Sequence, residues 1–147
     1  MDDDLTAHAS VDIDALVDDV WFALTDPAAI ARWMAGSHVV TDWRPGSPIT
    51  WSGEFEGVAY EDRGEVLDAA PGTLLRYRHV TPARDDRPER GHVVTVRLEG
   101  VDENRTRVSL AQDGNPDVDA RRHAERVWTS MLDRLKVLVE QKAPSPL

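Results

Sequence analysis

The sequence predicts an α+β fold in which a curved, seven-stranded antiparallel sheet is covered on one face by a long C-terminal helix. Three observations lead to this prediction. The N-terminal stretch alternates between apolar and polar residues, residues 37–112 repeat that alternation between turn signals, and residues 120–142 carry apolar residues at helical spacing. Consecutive strands joined by short turns favour antiparallel pairing, and a sheet with one apolar face requires a second layer.

The first predicted strand is followed by two short helices. In LTAHASVDID the odd positions 5 to 13 are apolar and the residues between them are polar, as in a half-buried strand. Asp14 is predicted to cap a helix over residues 15–24. Asp26, Pro27 and Gly36 are residue types that suit the N-cap, the first position and the end of a second helix.

Six further strands are predicted between residues 37 and 112. The alternation is interrupted at RPGSP, DAAPGT, TPARDDRPERG and GVDEN, which contain turn-forming residues. The stretch 82–90 is predicted to be a long charged loop. The strands are placed at about 37–43, 48–56, 58–69, 73–81, 91–99 and 105–112.

A polar row is predicted at one end of the inner face of this sheet. Because the residues on either side of Tyr77 are arginines, which favour solvent, Tyr77 and His79 face inward. Symmetric closure of the charged loop pairs His79 with His92, and closure of GVDEN pairs His92 with Gln112. Buried polar groups need partners, so this row is either the wet rim of the sheet or the lining of a cavity.

The C-terminal helix has one apolar side. At about 100° per residue, nine residues fall within one arc, and charged residues lie opposite. This arc indicates either an ordinary core-facing helix or the roof of a cavity, since its Trp and Met are also common in ligand pockets. The residues of the arc are Ala120, Ala124, Val127, Trp128, Met131, Leu132, Leu135, Leu138 and Val139.

Composition excludes several classes of protein. The chain has 147 residues, which suggests one domain, with ends at 1–4 and 143–147 that we expect to fray. It contains no cysteine and has a formal net charge of −10, so disulfides, nucleic acid and anionic membranes are not expected. No apolar run approaches the ~20 residues that span a bilayer. A cytoplasmic location is therefore predicted.

The sequence contains no strong catalytic or metal-binding motif. No nucleophile elbow, glycine-rich phosphate loop, zinc helix or calcium loop is present. Two histidines without a carboxylate at a known spacing are a poor metal signal, so we expect neither a metal nor a cofactor. An enzyme would have to rely on isolated tyrosine, histidine and carboxylate groups in a pocket.

Four stretches, which together cover nearly the whole chain, resemble the SRPBCC (START-like) superfamily, in the branch of homologues of the activator of the heat-shock protein 90 ATPase. These are VWFALTDPAAIARWM, DWRPGSPITWSGEFEG, GEVLDAAPGTLLRY and LAQDGNPD with a later H…W…ML..LK. Positions that match are Val20, Trp21, Ala23, Leu24, Thr25, Asp26, Pro27, Trp33, Trp43, Gly46, Ser47, Trp51, Gly64, Val66, Leu67, Pro71, Leu75, Tyr77, Gln112, Asp113, His123, Trp128, Met131, Leu132, Leu135 and Lys136.

The resemblance implies a helix-grip fold, in which the curved sheet wraps around the C-terminal helix and often encloses a cavity. Members of this superfamily differ in function, and the leading hypothesis here is binding of a small hydrophobic or amphipathic molecule, with the two short helices and the 82–90 loop as a gate. Alternatives are a cyclase- or hydrolase-type enzyme in the same cavity, or a chaperone-regulating interaction module; a homodimer is compatible with either. Candidate ligand-binding residues are Trp33, Phe55, Tyr60, Tyr77, His79, His92, Val94, Leu110, Gln112, His123, Met131 and Leu135.

Overall fold

The computed structural model of the chain contains the predicted elements in the predicted order. It describes residues 5–81 and 90–142, without the side chains of Phe55, Arg90 and Lys142. The two ends that we expected to fray, and the 82–89 part of the proposed gate, lie outside the described residues. No helix among the described residues is both long enough and apolar enough to cross a bilayer.

The sheet is antiparallel throughout and its seven strands follow the order β1-β7-β6-β5-β4-β3-β2. A long C-terminal helix lies against it, which confirms the helix-grip fold. The elements are β1 (Ala7–Ile13), α1 (Val17–Thr25), α2 (Pro27–Trp33), β2 (His38–Val40), β3 (Pro48–Phe55), β4 (Val58–Ala70), β5 (Leu74–Thr81), β6 (Arg90–Asp102), β7 (Arg105–Gln112) and α3 (Val118–Lys142).

The start of α2 is as predicted, whereas the start of α1 is not. Asp26 accepts a hydrogen bond from the backbone N–H of Ala29 at 3.0 Å, so it caps α2 as expected. Asp14 was the wrong cap for α1, which begins at Val17 without any side-chain cap. The Asp14 carboxylate instead accepts from Arg105 Nε at 3.1 Å, so it is not available to the helix.

The second strand is shorter than predicted and ends at Val40. Trp43 has φ of 61°, a left-handed conformation that a continuing strand cannot contain. Its indole N–H donates to the carbonyl oxygen of Thr25 at 2.8 Å. The chain after β2 is therefore anchored to the end of α1 rather than to the sheet.

The predicted pairing of β5 with β6 is confirmed, and the pairing of β6 with β7 was wrong by two residues. His79 lies opposite His92 as expected, but Gln112 lies opposite Val94. The cause is an irregularity in the ladder near Gly100, which lets β6 continue to Asp102 before the turn. Because the shift is even, the inward-facing residues stay inward.

The space between α3 and the sheet is filled at one end and hollow at the other. On the C-terminal half of α3, Leu132, Leu135, Leu138 and Val139 are all buried. On the N-terminal half, Val127 is exposed, and Ala124 and Met131 are only partly buried. The filled end joins a core that includes Ile13, Val20, Ile30, Ile49, Val66 and Val108.

Candidate functional site

A cavity of about 790 Å³ lies between the N-terminal half of α3 and the inner face of the sheet. Its volume is within the range of about 300–1,000 Å³ that is usual for small-molecule sites. Strands β3 to β7 contribute to its walls, and the segment that joins α2 to β2 contributes Met34, Ala35 and Ser37. Exposed Val58 and Val127 on opposite sides show that the cavity opens to solvent.

Eight of the twelve residues proposed from the sequence line this cavity. They come from β4, β5, β6, β7 and α3, so five elements distant in sequence converge on one space. The row predicted from His79, His92 and Gln112 is part of the lining, although the register error places Gln112 beside Val94. The eight residues are Tyr60, Tyr77, His79, His92, Val94, Gln112, His123 and Met131.

Trp33, Leu110 and Leu135 do not reach the large cavity, which corrects their assignment as its walls. The Trp33 indole turns back onto α1 and donates to the carbonyl oxygen of Ala23 at 3.0 Å. Leu110 pairs with Val96, one row further from the cavity than predicted. Together with Trp33 it lines only a small adjacent void of about 20 Å³. Leu135 is fully buried in the filled half. The Phe55 side chain lies outside the described part of the chain.

Twelve other residues line the cavity and were not proposed. For Trp51 and Asp62 a signal exists, because their strand parity matches that of Ile49 and Tyr60 respectively. Glu54, near the end of the β3–β4 hairpin, also lines the cavity. The twelve are Met34, Ala35, Ser37, Trp51, Glu54, Glu56, Val58, Asp62, Thr81, Ala124, Val127 and Trp128.

Trp51 forms an aromatic wall against two residues of β5. Its ring centroid lies 5.3 Å from that of Tyr77, with the planes tilted by 45°. The His79 ring is 4.8 Å away and meets Trp51 edge to face, at 69°. Both geometries are favourable for aromatic pairs, so the contacts restrict the orientation of the tyrosine and the histidine.

Tyr77 supplies a hydroxyl that has no hydrogen-bond partner among the described residues. Its side chain lines the cavity and only 7% of the residue is exposed. Burial raises the pKa of Tyr77 above its ordinary value, because the phenolate is poorly solvated there. The phenol therefore remains protonated near neutral pH and can donate a hydrogen bond into the cavity.

Asp62 and His79 form a carboxylate–imidazole pair in the cavity wall. Asp62 Oδ2 lies 3.0 Å from His79 Nε2, and the side chains are 19% and 26% exposed. An ionised carboxylate only accepts hydrogen bonds, so this contact places a proton on Nε2. In neutral His79 the other ring nitrogen, Nδ1, then carries a lone pair, and it has no partner among the described residues.

Other polar side chains of the cavity already bond to protein atoms. The hydroxyls of Tyr60 and Ser37 are 2.7 Å apart. The Trp128 indole N–H donates to the side-chain oxygen of Gln112. These contacts hold four lining side chains in place and leave fewer of their polar atoms available to a ligand.

The histidines do not form a metal site. His92 Nδ1 lies 2.8 Å from the backbone oxygen of Asp113, outside any carboxylate cluster. Within residues 5–81 and 90–142, no group of three or more histidine, aspartate or glutamate side chains could hold a metal ion.

The chain is similar to several solved structures along almost its whole length. A protein from Cytophaga hutchinsonii, ChR145, is 39% identical with a TM-score of 0.79, and the match covers 94% of this chain and 95% of that one. MLL2253 from Mesorhizobium loti is 23% identical with a TM-score of 0.82, covering 95% and 99%. The Aha1 dimer from Colwellia psychrerythraea is 20% identical with a TM-score of 0.73, covering 92% and 96%.

Among curated proteins no sequence matches the chain. A family model does match, over residues 14–140, and this range includes β2 to β7 and all but the last turn of α3. The match therefore spans most of the sheet, the cavity and the helix that covers it. On this evidence the chain belongs to the family described as Activator of Hsp90 ATPase homolog 1-like protein.

Proposed function

We propose that the chain binds a small apolar or amphipathic molecule in the cavity between the sheet and the N-terminal half of α3. The unpartnered Tyr77 hydroxyl supports this most strongly. This hydroxyl faces a cavity that opens to solvent, so without a ligand its hydrogen-bond partner is water. A ligand with an acceptor atom at this position would replace that water, while its apolar part covers the walls.

The described walls of the cavity suit a ligand whose apolar part varies in shape. Met34, Met131 and Val94 contribute aliphatic surface, and Trp51 and Trp128 contribute large aromatic faces. Methionine side chains adapt to irregular shapes, so the cavity is suited to a class of related molecules rather than to one rigid ligand.

The charges of the lining residues further restrict the class of ligand. Glu54, Glu56 and Asp62 line the cavity, and no lysine or arginine is among its described lining residues. A carboxylate or phosphate group would meet these acids without a cation to compensate. The ligand is therefore neutral or cationic, with an acceptor directed at Tyr77 and polar groups within reach of His79, His92 or His123.

Binding of Nile red, a neutral apolar dye, tests the proposal. Ala124→Trp should fill the cavity beneath α3 and weaken dye binding at least tenfold. Thr129→Trp, on the exposed side of the same helix, is the matched control and should bind as the unaltered chain does. Equal affinity in all three proteins, or no uptake by the unaltered chain, would refute the proposal. Native mass spectrometry of gently purified protein should show a bound small molecule.

A chaperone-regulating role is the second candidate, supported by the description of the family. It predicts that the chain stimulates the ATPase activity of an Hsp90, and that Ala124→Trp leaves this stimulation unchanged. The name of the Colwellia relative describes a dimer; sedimentation equilibrium would show whether this chain also forms one. We also propose a cytoplasmic location, which the absence of cysteine from the sequence supports.

A further inference from the structure

We infer that the cavity is also a general-base site, in which His79 removes a proton from a carbon atom adjacent to a carbonyl group of the bound molecule. Asp62 positions His79, and the Tyr77 hydroxyl stabilises the oxygen on which negative charge develops. The substrate class is a small apolar ketone or unsaturated carbonyl compound. This inference rests on the proposed binding function, because the reaction requires an occupied cavity.

The base is assembled across neighbouring strands. Asp62 on β4 bonds His79 Nε2 on β5 at 3.0 Å, and Trp51 on β3 packs edge to face against the imidazole. The carboxylate fixes the tautomer, and the indole fixes the ring plane. The Nδ1 lone pair is left available, which is the arrangement that a positioned histidine base requires.

The hydrogen-bond donor lies two residues from the base. Tyr77 and His79 share the inward face of β5, and alternate residues of a strand are separated by roughly 6.5–7 Å. Both rings contact Trp51. In the inferred complex, a carbonyl oxygen accepts from the Tyr77 hydroxyl and an adjacent C–H meets His79 Nδ1. A pre-oriented donor at the developing oxyanion is an effective catalytic device.

The proton transfer balances without any other reagent. His79 Nδ1 takes the proton, the C–H electron pair becomes the carbon–carbon π bond of an enolate, and the carbonyl π pair moves to oxygen. Tyr77 donates its hydrogen bond to that oxygen. The imidazolium, paired with Asp62, then returns the proton to the same carbon or to the far carbon of a conjugated system. The net reaction is proton exchange or isomerisation.

The other lining histidines lack this arrangement. His92 places Nδ1 against a backbone carbonyl rather than a carboxylate. His123 is exposed near the start of α3. The choice of His79 as the base therefore rests on its carboxylate partner and its burial, and it can be tested one residue at a time.

The probe is 5-nitrobenzisoxazole, a neutral aromatic compound. A base removes its C3 proton, the N–O bond breaks, and a coloured cyanophenolate forms. We expect catalysis by the unaltered chain and a fall in kcat of about 100-fold in His79→Gln, in line with general-base contributions. Asp62→Asn should lower kcat about tenfold with KM unchanged, and Tyr77→Phe severalfold. His38→Gln, on exposed β2 outside the cavity, is the control and should leave the rate unchanged.

Chemical rescue separates a lost base from a damaged fold. Added imidazole should restore protein-dependent turnover in His79→Ala, by occupying the space of the missing ring. Turnover in His79→Gln equal to that of the unaltered chain would overturn the inference. So would an unaltered chain that binds the probe but converts it no faster than buffer alone. In both cases the binding proposal would stand. If the unaltered chain binds neither this probe nor Nile red, the binding proposal fails as well.

Discussion

The two halves of the space beneath α3 differ in how completely side chains fill them. At the filled end, Leu135 and Leu138 belong to a core that also contains Ile13 of β1. At the hollow end, Ala124 and Met131 of the same helix line the cavity and are only partly buried. The same amphipathic helix therefore completes a core at one end and covers a cavity at the other.

The two halves also treat buried hydroxyl groups differently. Thr106 is fully buried beside the filled core, and its hydroxyl donates to the carbonyl oxygen of Ala15 at 2.9 Å. Tyr77 is almost as deeply buried, yet its hydroxyl has no partner among the described residues. The hydroxyl at the filled end is therefore satisfied within the fold, whereas the one at the hollow end has no protein partner among the described residues.

The largest expected effect comes from truncating the helix in the filled half. Leu135→Ala should lower the free energy of unfolding by about 2–5 kcal/mol, because it leaves a cavity in a packed core. Met131→Ala, one turn earlier and beside the existing cavity, should cost under about 1 kcal/mol, since its side chain is partly solvated. Urea unfolding of both variants gives the two values. Equal losses would show that the two halves are packed alike.

Gly64 on β4 lies in close contact with the backbone of β5 beside the cavity. A Cβ added at Gly64 would lie 1.7 Å from the carbonyl oxygen of Arg78, next to His79 on β5. Gly64→Ala should therefore cost on the order of 2 kcal/mol or more, by forcing β4 and β5 apart. Gly91→Ala, where the nearest atoms are 3.9 Å away, should be close to neutral. Urea unfolding of both variants measures the two losses of stability. If β4 and β5 were loosely packed at the hollow end, the two losses should be equally small.

The difference between the Thr106 and Tyr77 hydroxyls predicts that their removal changes stability in different directions. Thr106→Val should destabilise the fold by about 1–2 kcal/mol, because the Ala15 carbonyl loses its buried donor. Tyr77→Phe removes a group that has no protein partner, so it should be neutral or slightly stabilising while it weakens ligand binding. Thermal unfolding of the two variants without ligand would measure this. A loss of similar size in Tyr77→Phe would mean that its hydroxyl is satisfied within the fold.

The sequence predicts those features that depend on local periodicity and fails where distant residues compete. Alternation identified Tyr77 and His79 as inward-facing, and Asp26 with Pro27 marked the start of α2. Asp14 has the same capping chemistry as Asp26, but an ion pair with Arg105 removes it from the helix. The residues next to Asp14 in sequence give no sign of this distant ion pair.

Part of the candidate site was also predictable from local periodicity. Side chains on one strand face could be grouped, so Tyr77, His79, His92 and Val94 were assigned together and all line the cavity. The bond between Asp62 and His79 depends on the register of β4 against β5, which contains an irregularity between Val66 and Asp68. Sequence periodicity does not locate such an irregularity, so the pairing became evident only in the structure.

The smallest predicted effect concerns the hydrogen bonds that Glu140 accepts at the filled end. Their contribution to stability should depend on pH. Glu140 accepts hydrogen bonds from the backbone N–H of Asp14 at 2.8 Å and from Lys136 Nζ at 2.6 Å. These contacts, led by the Asp14 N–H, hold the pKa of Glu140 below its ordinary value. A lowered carboxyl pKa stabilises the fold above the unfolded-state pKa, and the contribution is lost as pH falls through the folded-state value.

Glu140→Gln should therefore cost under about 1 kcal/mol at pH 7, as for a largely solvated pair. The cost should decrease as pH falls, because Glu140 becomes protonated in the folded state as well. Leu135→Ala, whose loss arises from packing, should destabilise the fold by a similar amount at both pH values. Urea unfolding at pH 7 and pH 3 separates the two. A deficit in Glu140→Gln that persists at pH 3 would show that the glutamate acts at the filled end through packing rather than through its charge.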